Sequence, residues 1–418
     1  MQKWLVGMVI FGVCFSGTAL WAEEAPKAKI ATQSDPEAVK PDTSKLGTPT
    51  PATSQMDTAA SPQANPLAAV GPDRQLLQKT VDRGLQYLAS AQADNGSWSG
   101  QMGMGPTALA TLAFLRHGRT PADPAVAKAL KHLEEYVQEN GGIYTPGGRI
   151  ATYETCIALL CFQQANSQGQ YKKILQDAEA FLRGTPWDET RGKNRSDLYY
   201  GGAGYSAKSR PDLSNTAFLI EALRSAGAKP DDPAIQRALV FVSRCQNLES
   251  EHNTTPWAAK INDGGFYYTC VLEKPEQQRQ GPEGGLRSYG SMTYAGLKSM
   301  VYAGLTKDDP RVKAVLGWVR KYYSVSENPG MGDAGLYYYY HTFAKALAAA
   351  GMDLVEDAQG RRHDWRRELT EELARRQKPD GSWVNTNPRW MEGDANLCTA
   401  FALLALSYCQ PPSAQPGR

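Results

Sequence analysis

Several things are missing from this 418-residue sequence, and each absence removes a class of function. There is no surplus of charge of either sign: 45 Lys and Arg face 43 Asp and Glu, and a net charge of +2 gives no bulk attraction for nucleic acid or another polyelectrolyte. Neither a CxxC pair nor a Cys/His spacing of a closed zinc site occurs among the seven cysteines, so no metal and no other cofactor is expected. Beyond the first two dozen residues no segment is long and apolar enough to cross a bilayer. From Glu23 to Pro72 there is no aromatic residue and no apolar period. Such a stretch cannot bury enough surface to offset its chain entropy.

What remains reads as an exported protein with one large folded part. Lys3, the uncharged apolar stretch Trp4 to Phe15 and the smaller residues Ser16 to Ala22 before Glu23 make an export signal over 1–22. Cleavage after Ala22 is expected, and Leu20, three residues before the cut, leaves an uncleaved N-terminal anchor as the alternative and as the sole route to a membrane. The expected location is the periplasm or the medium. Residues 23–72 read as an Ala/Pro/Thr-rich tether and 411–418 as a short tail of the same kind, with the folded part at 73–410. Loss of Cys14 with the signal would leave six cysteines. Cys156, Cys161, Cys398 and Cys409 lie in strongly apolar helical stretches, where a thiol is a small hydrophobe, and Cys245 with Cys270 is the one pairing worth testing.

After Arg74 the chain repeats itself six times. Each unit has an amphipathic helix, a Gly-rich turn and a second helix rich in Ala and Leu. The second helices align on Thr107, Thr155, Thr216, Thr293, Thr342 and Thr399. They are apolar around most of their circumference, with Glu221, Lys298 and Lys345 as exceptions, and should form a buried inner set. The first helices are expected at about 73–92, 124–138, 171–183, 233–246, 310–323 and 362–377. Asp123-Pro124, Asp232-Pro233 and Asp309-Pro310 each place an acidic cap before a Pro at the first helical position. Repeated helix pairs can string out as a solenoid or close into a ring. Inner helices apolar on nearly every side favour closure, an all-α α6/α6 toroid.

Two turns carry a resemblance: Gln92-Ala-Asp-Asn-Gly96-Ser-Trp98 and Gln377-Lys-Pro-Asp-Gly381-Ser-Trp383. Gln can bond backbone groups at a helix end, Gly takes the left-handed turn, and Trp packs between hairpins. Degenerate copies are Gln138 to Tyr144, Gly201 to Tyr205, Asp263 to Phe266 and Gly332 to Tyr337. These turns resemble the QW motif of squalene-hopene cyclases. With the Thr-aligned helices, residues 73–410 resemble the terpenoid cyclase and protein prenyltransferase superfamily. The resemblance implies an α6/α6 barrel whose inner helices line a central cavity, and it bears on fold more than on reaction.

The superfamily's known chemistries do not carry over. No DxDD acid motif occurs, and Asp231-Asp232 and Asp308-Asp309 stand at outer-helix starts, where capping explains them. Tyr289-Gly290-Ser291 occupies the place of the zinc-binding DGC of prenyltransferases, leaving His341 without the rest of that site. The GCGEQ of thioester toroids is absent too.

Parallel inner helices would gather six N-termini, with free N–H groups, around one mouth that favours negative or electron-rich ligands. Six residues before the aligned threonines stand Arg149, Arg210 and Arg287, with Arg389 a little further before the sixth. They read either as an anion-binding rim or as partners of turn aromatics and loop carbonyls. Glu154, Asn215 and His341, with Tyr153, Ser214, Ser291 and Tyr340 one step earlier, are the polar residues expected at the mouth. Tyr338 belongs to the run Tyr337 to Tyr340, which in a lumen would supply π faces and phenol donors beside a titrating His341, or else pack between hairpins. Asp394 and Asn396 read as a cap. The connections 185–211 and 247–288 enlarge the same end and contain neither a phosphate loop nor a nucleophile motif.

The reading that follows is an exported toroid binding a ligand or partner at its central cavity: a small molecule, an isoprenoid, an anionic glycan or a protein. The alternative is an enzyme of the same fold, a terpenoid-type cyclase or isomerase, or a lyase on acidic polysaccharide. In the lyase, Tyr340 or His341 takes the proton, with Glu154 a further candidate, and an arginine neutralises the uronate. A third is a scaffold on a stalk. Export from a bacterial host should give a mature chain beginning at Glu23, read by intact mass; retention of residues 1–22 in the membrane fraction would instead establish the anchor.

Overall fold

The computed structural model describes residues 70–272 and 284–410. The expected signal, nearly all of the tether, and the tail lie outside them. Six hairpins follow in chain order: α1 (Arg74–Ala91) with α2 (Gly105–Arg116), α3 (Pro124–Glu134) with α4 (Ala151–Ala165), and α5 (Lys172–Arg183) with α6 (Leu213–Ser225). Then α7 (Pro233–Arg244) pairs, past the single turn α8 (Ala258–Ile261), with α9 (Gly290–Tyr302). The last two are α10 (Pro310–Tyr322) with α11 (Leu336–Ala349), and α12 (Trp365–Arg376) with α13 (Ala395–Leu406). Between α11 and α12 a small antiparallel hairpin pairs β1 (Val355–Glu356) with β2 (Arg362–His363). No helix among the described residues is long and apolar enough to cross a membrane.

The second helices form a closed ring. Each of α2, α4, α6, α9, α11 and α13 packs on the next, and α13 packs back on α2. The first helices stand outside and show the inner ring one stripe: in α1 this is Leu77, Val81, Gly84, Leu85 and Leu88. The inner helices bury residues all around, as α13 does from Leu397 to Leu406 without interruption. Outer helices begin where acidic caps were expected, with Asp123, Asp232 and Asp309 accepting from the N–H two residues on at 2.8–3.1 Å. Two expected spans shorten. After Glu134 the chain leaves the helix so that Val137 can bridge Ile143, and Arg362 and His363 are taken by the β-hairpin, moving the start of α12 to Trp365 behind its cap Asp364.

The aligned threonines have a physical role. In five hairpins the Thr side-chain oxygen accepts, at 3.0 Å, the backbone N–H of the turn residue that precedes the inner helix: Trp98 on Thr107, Ile143 on Thr155, Ala203 on Thr216, Phe266 on Thr293 and Trp383 on Thr399. The fifth hairpin differs. Thr342 bonds Tyr338 of its own helix, and the loop before α11 is held by phenols instead, Tyr339 on the Ser324 carbonyl and Tyr340 on that of Val325. The alignment on Thr342 is therefore not matched by a common contact.

The Gln–Gly–Trp turns sew neighbouring outer helices together. The Gln92 amide donates to the Gly96 and Ala125 carbonyls, and Gln377 to those of Gly381 and Thr80. Trp98 and Trp383, fully buried, donate their indole N–H to Leu88 and Leu373. Gly96 and Gly381 have φ of 87° and 91°, and a Cβ would stand 2.5 and 2.4 Å from the Lys128 and Arg83 carbonyl oxygens, so no other residue fits. Gln246 repeats the pattern with Gly264 and Arg311. The Gln377 turn lies on α1, so this stitch closes the ring. All six described cysteines are free; Cys245 and Cys270 are buried neighbours joined through a thiol hydrogen bond.

Replacing Thr155 with Val should cost about 1–3 kcal/mol, because the Ile143 N–H is left buried without an acceptor. Thr342→Val should cost distinctly less, and urea midpoints of the two variants check the difference.

Candidate functional site

Six helix N-termini meeting at one end leave many N–H groups to satisfy, and carboxylates and an amide satisfy them. Asp212 accepts from Asn215 N at 2.8 Å at the head of α6, and Asp394 from Leu397 N at 2.8 Å at the head of α13. Glu392 accepts from Tyr338 N at 2.8 Å above α11 and is itself held by the Asn385 amide at 2.6 Å. Asn328 serves Ser291 N at 3.0 Å on α9. Glu154 reaches across to Met104 N at 3.1 Å and binds Thr145 through N and hydroxyl, both at 2.9 Å. The expected excess of positive potential at this mouth is thus largely compensated by acidic side chains.

Within this mouth four tyrosines gather around one carboxyl group, Asp212, and a fifth, Tyr153, adjoins two of them. Tyr153 on α4, Tyr205 in the loop after α5, Tyr268 in the connection after α8, Tyr289 at the head of α9 and Tyr338 on α11 are each half-buried. Their hydroxyls are close enough to influence one another or Asp212 electrostatically. Tyr268 bonds the Asp212 carboxyl and also Tyr205. Tyr338 shares a 2.8 Å hydrogen bond with the Ser214 hydroxyl. Tyr153 stacks edge-on to Tyr205 at 6.0 Å and to Phe218 at 5.4 Å, and Phe218 leads to Tyr338 at 6.4 Å. Burial holds all five phenols above their usual range, Tyr338 at about 12, so they remain protonated donors. Burial also pushes Asp212, only 2% exposed, up to about 6, against the opposing pull of the Asn215 bonds, Tyr268 and Arg210. It is a carboxyl that changes protonation near neutral pH.

The residues expected from sequence fall into three groups. Tyr338 and Arg210 belong to this cluster, and Arg287, exposed and 3.1 Å from the Met331 sulfur, borders it together with Arg389, since both bear on Tyr289. Asn215 sits behind it, its amide nitrogen 2.8 Å from Asp212 and its amide oxygen buried without a partner. The rest lie apart. Tyr340 points away from the ring axis to the Val325 carbonyl, Glu154 is fully buried and fully occupied by Thr145 and Met104, and Arg149 is exposed on its loop. His341 is buried deeper in the ring, between Phe401 at 5.9 Å and Tyr408 at 6.5 Å, and burial pushes it down to about 3, a neutral imidazole. The proton-transfer candidates Tyr340, His341 and Glu154 are therefore not assembled in one place.

Sequence reasoning missed Asp212, Tyr205, Tyr268 and Tyr289. Each stands in or beside a turn, and Tyr289 had been noted only as the occupant of a lost metal position. Below the cluster, Glu221, Lys298 and Lys345 meet at mid-height of the lumen, with Lys298 Nζ 2.6 Å from Glu221 Oε2 and Lys345 paired with Oε1; all three are buried.

No family model matches the sequence, and no curated protein matches it. Solved structures do. The chain is similar to a protein from Actinoplanes at 17% identity and a TM-score of 0.47, over 80% of this chain and 99% of that one. It is similar to the type II terpene cyclase MstE from Scytonema at 12% identity and 0.46, over 80% and 98%. A glycosidase solved with glucose gives 11% and 0.43, over 81% and 99%. These likenesses are distant, and the ring itself is established by the closure of α13 on α2 described above.

Asp212 also leaves a signature in stability. Its folded value lies above the 3.8 of an ordinary Asp, so the stability it contributes is complete below about pH 4 and is lost as the pH rises through about 6. Asp212→Asn should remove this component, on the order of 3 kcal/mol between pH 4 and 7, seen in denaturation midpoints of the two proteins across that range.

Proposed function

We propose that the chain is an exported toroid that binds an anionic glycan at the N-terminal mouth of its inner ring, without the DxDD or zinc chemistry of the superfamily it resembles. The observation that carries this is the gathering of Tyr205, Tyr268, Tyr289 and Tyr338 around Asp212, with Tyr153 beside them and Arg210, Arg287 and Arg389 at the border. Phenol rings offer flat faces to sugar rings, phenol and Ser214 hydroxyls exchange hydrogen bonds with sugar hydroxyls, and guanidinium groups pair with carboxylates. Export rests on the sequence of residues 1–22, which supports a periplasmic or secreted location. An isoprenoid is less well served. At mid-height the ring is occupied by a buried ion cluster, and burying a hydrocarbon chain against charged groups is unfavourable.

A second reading, an enzyme of the same fold, is favoured by the Asp212 carboxyl alone, since a group that titrates near pH 6 can give or take a proton at working pH. The two are separated by product formation.

Calorimetric titration of the mature protein with oligogalacturonate should give saturable binding, with neutral cello-oligosaccharides and geranylgeranyl diphosphate much weaker. Tyr338→Phe should weaken oligogalacturonate binding about fivefold, the worth of one hydrogen bond. Arg287→Gln should weaken it and flatten its salt dependence. Absence of binding, or equal affinity for charged and neutral oligomers, would overturn the assignment. New unsaturated or reducing ends during incubation would establish the enzyme.

A further inference from the structure

Between mid-height and its C-terminal end the ring holds a second polar cluster that closing the ring does not require. Glu221 on α6 is shared by Lys298 on α9 and Lys345 on α11, at 2.6 Å for the first pair, and each of the three is 3–5% exposed. Two lysines on one carboxylate cannot both stay protonated without leaving a positive charge uncompensated, in a place where water cannot offset it. Burial accordingly drives Lys298 down to about 7 and Lys345 well below the usual lysine range, with Arg116 adding to the effect on Lys345. One turn before Lys345, the imidazole of His341 has its Nδ1 buried with no partner. Arg224, tied by one guanidinium nitrogen to the Ala228 carbonyl, also has a buried Nε with no partner. Arg116 lies 5.9 Å over the Tyr408 ring, and Lys345 Nζ lies 5.8 Å from the same ring. Tyr302 completes the group, facing Tyr408, Arg116 and Arg224.

Apart from His341, at the middle of α11, these residues stand in the last two turns of α2, α6, α9 and α11 and just past α13, so they share the C-terminal half of the inner ring. Carbonyl-bearing helix ends attract cations, which accounts for Arg116 and Arg224 on the rim. That attraction fades within a turn and accounts neither for two buried lysines on one carboxylate nor for the unpaired nitrogens of His341 and Arg224. An acceptor of negative charge accounts for both.

We propose that this end of the ring binds a small oxyanion, a carboxylate or phosphate group, between Lys345, His341 and Arg224 with Arg116 at the entrance. The anion lets both lysines hold their protons and accepts from the unpaired nitrogens, while Tyr302 and Tyr408 cover it. The site is independent of the tyrosine cluster, so glycan binding there stands or falls separately.

The test is the melting temperature of the full mature protein at pH 7 in sodium acetate or sodium phosphate, against sodium chloride of equal ionic strength. Wild type should gain a saturable rise of about 3 °C with one or both oxyanions, and the stronger of the two identifies the head group. Lys345→Met should melt higher than wild type in chloride and show no oxyanion response. Arg116→Gln, at an exposed side chain, should lower the chloride melting point slightly and raise the half-saturating oxyanion concentration about threefold or more, and it decides the matter if Lys345→Met does not fold. Equal oxyanion responses in wild type and both variants, or a wild-type response that follows ionic strength whatever the anion, would overturn the proposal.

Discussion

Helices that are apolar on every side cannot remain on a surface, and this constraint governs the molecule. α2, α4, α6, α9, α11 and α13 bury nearly their whole circumference, and an open row would leave α2 and α13 each with a bare flank. Closure removes both flanks at once. The seam is made with the same parts as the other joints: Trp383 over Gly84, the Gln377 amide on the Thr80 carbonyl, and Gly381 against Arg83. Threonine-to-turn hydrogen bonds then fix how far each turn stands from its inner helix, which sets where the loop residues at the mouth are displayed.

Much of this was legible in the chain because it is local. A Thr in an apolar stretch past a Gly turn, an Asp before a Pro, and an amphipathic stretch between them announce a hairpin without reference to the rest. The fifth hairpin shows the limit. Thr342 lies in an attractive place, yet tyrosines tether that loop, and sequence spacing does not distinguish a threonine bonding a turn from one bonding its own helix. The site was legible only in part for a related reason. Tyr338, Tyr153, Ser214 and Arg210 were visible from their distance to the aligned threonines, whereas Asp212 with Tyr205, Tyr268 and Tyr289 comes from loops of unequal length whose meeting no period records. Glu221, Lys298 and Lys345 stood out as charges in apolar helices, though nothing in the chain said that the three exceptions are one contact.

The two ends of the ring are electrostatically distinct. At the N-terminal end carboxylates answer the helix dipoles, and Asp212, buried among phenols, titrates well above its normal range. Toward the C-terminal end cations accumulate, and burial forces lysines and a histidine toward neutrality. Each set is opposite in sign to the helix ends it faces, so the charge pattern stabilises the parallel arrangement of the inner helices.

Glu221 and its two lysines have one more consequence. With the Phe218 ring 5.5 Å from Lys298 Nζ, they fill the middle of the inner ring with buried charge. Under the glycan reading proposed above, a polymer drawn along the axis would have to strip three buried charges of their partners, so it would be held instead by an end, a bend or a protruding branch.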